Sequence, residues 1–319
     1  MPAPKRPRRG SLQFYPRKRA AKVLPSVNWR TISSDKPGLL GFIAYKVGMA
    51  TAIVKDTTDK SMTSGKKIAI PVTILEAPNM KIFSVRFYKN SKPMKDFIVS
   101  NDKELKKILK IPKQISNLDK IPDNYDDIRI IAYSISKQTS IKKTPDIIEL
   151  AIQSPNIKSK LEFVKNLLNK EITLSDLSAT TLFDARATTK GKGLQGPVKR
   201  FGLKLKQHKS EKGVRRPGSL GPWHPPRVTF MAPLAGQMGL FSRINYNLNL
   251  ITSGNIKSKD INPKSGFNHY GNIKSSYFIL KGSVQGPSKR QVLLTPSFRP
   301  TKSQAKKKYE FIELVGERK

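Results

Sequence analysis

The sequence predicts a mostly β fold: one β-barrel built from both ends of the chain, an inserted α/β module, and long basic extensions. Three observations predict it. Short β-branched and aromatic runs separated by turn residues occur early and late in the 319 residues. Between them, at about residues 89–184, acidic residues gather together with two helical apolar patterns. The formal net charge of +39 is concentrated in two stretches that carry almost no carboxylate.

Residues 1–37 are rich in Pro, Arg and Lys and follow neither the helical nor the strand period, which predicts a basic extension without a fixed fold in free solution. Ordering about 30 residues costs on the order of 1–2 kcal/mol each in backbone entropy, so only a large binding surface offsets it. From Leu39 the runs 39–47, 50–55, 68–75 and 81–88 predict antiparallel strands, broken at Gly48 and at the polar stretch 56–66. Pro71 predicts an edge or a bulge. Residues 89–185 form the inserted module, with nearly balanced charge. Asn101 is placed to cap a helix through Ile111 with Leu105, Ile108 and Leu109 on one face, and residues 157–168 repeat the pattern with Leu161, Val164, Leu167 and Leu168. Residues 129–135 predict a strand. Residues 186–243 form a basic central loop dense in Gly and Pro. The runs 228–231, 248–251, 276–280, 292–294 and 309–314 predict further strands, so that residues 38–88 and 244–319 together make the barrel.

Several function classes are excluded. The chain has no cysteine, which removes disulfides, thiolate metal sites and cysteine nucleophiles, and with them a structural zinc. Pro2, Pro4, Pro7 and Pro16 interrupt the basic N-terminus, so no secretion signal is expected. The longest apolar stretch, 38–54, is broken by Lys46 and is too short for the roughly 20 residues that span a bilayer, so no membrane partner is expected. His208, His224 and His269 lie in separate segments without ligand spacing, and adjacent Asp126 and Asp127 point apart. Gly191–Gly196 matches G-x-G-x-x-G, but Thr188-Thr189-Lys190 precedes it instead of an apolar strand and Pro197 follows at once, against dinucleotide binding. The better reading is glycines that let backbone N–H groups approach phosphates while Lys190, Lys192, Lys199 and Arg200 neutralise them. No catalytic, cofactor or metal residue is expected, and no small-molecule substrate.

So much like charge repels itself, so the working form includes a polyanion, with nucleic acid the leading candidate. Trp223 lies among prolines and glycines that forbid regular structure. It either forms a local core under the loop or stands at the tip of a basic finger and stacks on nucleotides, and the second reading is favoured.

Lys190-Gly191-Lys192-Gly193-Leu194-Gln195-Gly196, Lys199-Arg200-Phe201-Gly202, Arg216-Pro217-Gly218-Ser219-Leu220-Gly221-Pro222-Trp223-His224-Pro225 and Ala235-Gly236-Gln237-Met238-Gly239 occur in that order. Together they resemble the universal third-protein family of the large ribosomal subunit, in its archaeal and eukaryotic form. Arg9-Gly10-Ser11-Leu12 with Pro16-Arg17-Lys18-Arg19-Ala20, residues 41–49, Pro71-Val72-Thr73 and Lys281-Gly282-Ser283-Val284 with Lys289-Arg290 extend the resemblance over most of the chain. It implies a translation-protein-type barrel, a structural rather than catalytic role in the cytoplasmic large subunit, and a monomer among neighbouring ribosomal proteins. It also implies large-subunit rRNA as partner, support of early assembly, and a loop reaching toward the peptidyl transferase centre. Any structural Mg2+ would belong to the rRNA. The rRNA-binding residues implied are Arg8, Arg9, Arg17, Lys18, Arg19, Lys190, Lys192, Lys199, Arg200, Lys204, Lys206, Arg215, Arg216, Trp223, His224, Arg227, Lys289 and Arg290. The chain departs from the family pattern at Phe201, where many members have Trp, at Gln285, where many have Pro, and at 240–245. Glu211 stands where eukaryotic members often carry a methylated His, so that modification is not expected.

Two rivals share the charge. A chromatin-type DNA-binding protein should carry its basic residues on a recognition helix, and an RNA-modifying enzyme needs convergent catalytic groups or a cofactor loop.

Overall fold

Residues 42–56 form one strand rather than the two expected on either side of Gly48. The computed structural model describes residues 10–115, 121–122, 124–168, 170–178, 180–210 and 212–315. In chain order the strands and helices begin with β1 (Gly38–Leu39), β2 (Phe42–Asp56), β3 (Lys67–Ala77), β4 (Met80–Lys89), β5 (Lys92–Ile98), β6 (Asp127–Ser134), β7 (Ile147–Gln153), α1 (Ile157–Leu167) and β8 (Leu182–Thr188). They continue with β9 (Leu194–Gln195), α2 (Pro197–Phe201), β10 (Gly236–Gln237), β11 (Ser242–Asn255), β12 (Ser276–Lys281), β13 (Gln291–Pro296), α3 (Lys302–Ala305) and β14 (Tyr309–Val315). The chain divides into two units, one of Met1–Ala21 with Thr188–Ser242 and one of Lys22–Ala187 with Arg243–Lys319.

In the second unit the sheet order β13-β8-β11-β12-β3-β2 closes on itself because β13 also pairs with β2, and β14 adds to the outer half of β2. This is a six-stranded barrel. β2 serves three neighbours by bending near Gly48. The register against β3 shifts between Lys46 and Gly48, so the strand bends at a bulge, pairs β13 through 42–45 and pairs β14 through 51–56. A glycine inside a strand marks such a bend as readily as a turn. Pro71 sits where β3 has run past the end of β12, so its missing N–H removes no ladder bond there.

The second sheet has the order β1-β7-β6-β4-β5. Residues 81–88, expected in the barrel, lie in β4 and pair with β5 and β6. Helix α1 buries Val164 and Leu167 as the spacing predicts. The helix expected over 101–111 is only a 3-10 turn, Leu105–Lys107. Leu105 is buried and Leu109 packs against its cluster, but Ile108 is 45% exposed, so the apolar stripe is only partly covered, and short helices depend on that packing. Residues 228–231 are likewise not a strand.

One core joins barrel and insertion. Phe42, Ile43, Phe278 and Leu293 from the barrel pack in one cluster with Val85, Ile130, Leu150 and Val164. Burial on both faces explains why 42–45 reads as a continuous apolar run rather than an alternation. Trp29 and Ile32 belong to the same cluster, so the apolar end of the segment 1–37 is built into the core instead of lacking a fold. Gly41 makes room for it: a Cβ there would stand 2.8 Å from the Trp29 ring.

A buried carboxylate orders the turn after β2. Asp56 accepts hydrogen bonds from the Thr58 N–H at 2.9 Å and from the Ser61 hydroxyl at 3.0 Å, and also from Thr63. Bonds from Thr58 and Thr63 hold its carboxyl well below the usual carboxylate range. A depressed folded pKa contributes stability that is present above the unfolded value of about 4 and is lost as pH falls. Asp56→Asn is therefore expected to lower stability by roughly 1–3 kcal/mol near neutrality. In urea unfolding the gap to the wild-type protein should start to narrow near about pH 4 and go on narrowing as pH falls further; a gap constant with pH would remove the ionised form from the explanation.

Candidate nucleic-acid interface

The loop of the first unit is held at its base by its own backbone. β9 pairs with β10, Gln195 opposite Gly236 and Leu194 opposite Gln237. The Lys192 N–H donates to Met238 O, and the Met238 N–H to Gly193 O, each at 2.9 Å. The Thr189 N–H donates to Phe241 O at 2.9 Å. The two glycine motifs thus meet each other. Within Gly191–Gly196 the Lys192 N–H is therefore committed to the loop's own backbone. Gly191 and Gly239 serve close approach. Gly239 has φ +77°, and a Cβ on it would stand 2.1 Å from Lys190 O. A Cβ on Gly191 would press on Leu240 at 3.0 Å.

An interlocked arginine pair fastens the N-terminal segment to this base. Arg200 donates from Nε to Gln237 O at 3.1 Å, from one terminal nitrogen to Leu234 O at 2.9 Å, and from the other to Arg17 O at 3.3 Å. Arg17 returns a bond to Arg200 O at 3.2 Å. Its guanidinium lies 4.2 Å from the centre of the Phe201 ring, a cation–π contact over a buried phenyl. Burial and then the neighbouring Arg17 charge lower the pKa of Arg200. Among the predicted rRNA ligands, Arg17 and Arg200 are therefore also the clasp that shapes the unit. Phe201, where the sequence departs from the resemblance, is the ring on which they stack.

Around this clasp the cations are free of the core. Lys18, Arg19, Lys190, Lys192, Lys199, Lys204, Lys206, Arg215, Arg216 and Arg227 are exposed. Arg8, Arg9 and Glu211 lie outside the described residues. Glu211 is the one carboxylate in the sequence of this unit. The insertion is the reverse: among the described residues, the ion pairs all join side chains between Lys81 and Lys160, for example Arg129 with Asp127 and Lys160 with Asp127. Asp96, Asp102, Glu104, Asp127, Asp146 and Glu149 are paired with neighbouring cations there, whereas among the described residues those exposed cations form no ion pair. Trp223 is 84% exposed with His224 edge-on at 6.4 Å, which removes the local-core reading of that indole.

Lys289 and Arg290 lie in the second unit. Lys289 is exposed, whereas Arg290 is half-buried, with a lowered pKa from that burial. Its Nε has no hydrogen-bond partner among the described residues. The closing segment is pinned by Lys46, whose ammonium donates to Val284 O and, at 3.1 Å, to Gly286 O. Gln285 donates to Ala185 O at 2.8 Å and Arg243 O at 2.7 Å, a stitch that proline at that position could not supply.

Among the described residues no group of three or more His, Asp or Glu side chains is placed to hold a metal, and no helix is long and apolar enough to cross a membrane. A family model described as Ribosomal protein L3 matches residues 1–98 and 86–315. The chain belongs to the ribosomal protein L3 family. It is 40% identical over 310 residues to the large ribosomal subunit protein uL3 of Methanococcus vannielii, with 92% of each chain covered. Against the protein of the same name from Methanocaldococcus jannaschii the identity is 39% over 311 residues, and against that of Methanobrevibacter smithii 40% over 311, again covering 92% of each chain. These archaeal sources agree with the form of the family that the motifs resemble. Membership makes the chain a structural protein of the large ribosomal subunit, and so of the cytoplasm where that subunit works.

Sequence reasoning missed two parts of this unit. The Arg17–Arg200 clasp joins residues far apart in the chain, and only the Lys-Arg-Phe-Gly motif hinted at it. Phe230, read as a strand residue, is 73% exposed in a turn.

Proposed function

We propose that the loop-and-tail unit neutralises phosphates of large-subunit rRNA, that this contact supports early subunit assembly, and that the loop tip at Trp223 extends toward the peptidyl transferase centre. In this reading the chain acts as a monomer among neighbouring ribosomal proteins, without a cofactor of its own, and any Mg2+ at the contact belongs to the rRNA. The observation that carries it is the contrast in charge: exposed Lys and Arg with Glu211 as the only acid in the loop unit, against acids paired with their own cations in the insertion. Such a surface is attractive to phosphate and repulsive to itself. The barrel and insertion are joined by a shared core. The DNA-binding rival lacks support, because α1 lies in the charge-balanced module and α2 has five residues.

The test is binding of the full-length protein to deproteinised large-subunit rRNA across a salt series. With about ten phosphate contacts the log–log slope should be about −7 to −9. Trp223→Ala should leave the unfolding midpoint within about 0.5 kcal/mol of wild type, since the indole buries little, while altering assembly or tRNA-site function of subunits that carry it. A shallow slope would refute phosphate neutralisation, and an unfolded Trp223→Ala protein would return the indole to a core.

A further inference from the structure

Beside the arginine clasp lies a cavity of about 510 Å3, lined by Tyr15, Arg17, Arg200, Thr229, Phe230 and Leu234. Its size falls in the range of roughly 300–1,000 Å3 typical of small-ligand sites. We propose that this cavity captures one unpaired nucleotide of rRNA, whose base stacks on Phe230 and whose phosphate faces the two guanidiniums. The inference rests on the rRNA-binding reading above and assigns it a discrete base-recognition pocket away from the Trp223 tip.

Two phenyl rings of the same unit make the contrast that carries it. Phe201 is buried at 8% exposure beneath Arg17, whereas Phe230 is 73% exposed and has the Tyr15 ring edge-to-face at 5.8 Å. A structural phenylalanine would be expected in the first state. Backbone bonds fold the segment that carries Phe230: the Ala232 N–H donates to Thr229 O at 3.1 Å and the Leu234 N–H to Ala232 O at 2.9 Å, so a tight turn presents the ring. Pre-organisation of this kind reduces the entropy lost on binding. The occupant follows from charge. Two guanidiniums line the cavity, Lys18 and Arg19 continue from Arg17, and the unit's one acid is Glu211, so an anion is favoured and an acidic surface is absent. An aromatic face beside arginines suits a nucleobase attached to a phosphate, because every base has a π-face and unpaired RNA bases can be splayed out to meet it.

The test compares wild type, Phe230→Leu and Phe230→Trp as full-length proteins, with thermal unfolding as the check on folding and deproteinised large-subunit rRNA as ligand at fixed salt. Leucine keeps apolar volume and removes the π-face, so affinity should fall roughly 5- to 100-fold with an unchanged salt slope. Tryptophan keeps the face, so affinity should stay within about twofold of wild type. Adenosine monophosphate at millimolar concentration should weaken rRNA binding of wild type more than that of Phe230→Leu; equal competition in both would overturn the proposal. So would a leucine variant that binds like wild type, or a folded tryptophan variant that binds no better than leucine. Failure of wild type itself to bind rRNA would instead strike the rRNA-binding reading, which separates the two.

Discussion

Alanine at Gly239 is expected to open the base of the basic loop while leaving the barrel folded. The added Cβ would stand 2.1 Å from Lys190 O and 3.0 Å from Gly191 Cα, both backbone atoms that no side-chain rotation can clear. At φ +77° an alanine also carries a left-handed penalty of roughly 1–2 kcal/mol. Relief requires the strands to separate, which breaks the Lys192–Met238 and Met238–Gly193 bonds, each worth about 0.5–1.5 kcal/mol net. The loss therefore reaches a few kcal/mol, enough to change the population of an open loop by more than about tenfold. Trypsin should cleave the loop at least about tenfold faster in Gly239→Ala than in wild type. The unfolding midpoint of the second unit should hold, because its core clusters contain no residue of 188–242 among those described. Wild-type cleavage kinetics would show that the backbones need not approach so closely.

That glycine also shows how far the site was legible in the sequence. The charge pattern located the loop, and the order of its motifs located the family. Neither could say why the glycines are there. G-x-G-x-x-G invites a ligand explanation because a linear reading has no access to a partner strand 40 residues later. The structure supplies that partner, and Gly191 with Gly239 marks a backbone crossing. Arg17 and Arg200 were likewise legible as cations but not as a clasp, since a guanidinium that donates to carbonyls and one that donates to phosphates have the same sequence. Trp223 was legible because prolines and glycines on both sides leave an indole nothing to pack against. Phe230 was not, because Val228-Thr229-Phe230-Met231 has strand composition while its backbone turns.

In the fold, the strands were legible from β-branched runs, and their pairing was not. Gly48 looks like a turn and acts as a bulge, a difference decided by the requirement that β2 meet β3, β13 and β14 at once. β4 looks like its barrel neighbours because it too is buried on both faces, but its partners are in the insertion. Trp29 is invisible to any periodicity argument: with Phe14 and Tyr15 it is one of three aromatics in a basic, proline-rich segment, and only the space above Gly41 shows where it goes. Local pattern sets element type, and long-range contact sets neighbours.

The largest effect on stability is expected at Glu76, which no sequence pattern singles out. It lies in β3 between Tyr45 of β2 and Tyr277 of β12 and is fully buried. Its carboxylate accepts from the Lys274 N–H at 2.8 Å, from the Ser275 N–H and hydroxyl at 3.0 Å each, and from the Tyr270 hydroxyl. Burial and then the adjacent Glu76 charge push the Tyr270 hydroxyl pKa far up, which keeps that group a donor. The carboxylate is thus the anchor for the segment between β11 and β12, whose Ile261 and Ile273 complete one core cluster with Tyr277 and Ile279. Glu76→Ala removes four accepted bonds and leaves the N–H groups of exposed Lys274 and half-buried Ser275 without their acceptor. At about 0.5–1.5 kcal/mol net for each bond, a total of about 2–6 kcal/mol is expected. At roughly 2–4 °C per kcal/mol for a unit of this size, the unfolding midpoint should drop by about 10 °C. Glu76→Gln keeps one acceptor oxygen and the volume, and should lose about half as much. The order wild type, Gln, Ala is the signature of an acceptor. If both variants lost the same amount, negative charge rather than bond count would be what the site requires, and a loss below about 1 kcal/mol in the alanine variant would mean that water reaches these donors and the segment is not anchored here.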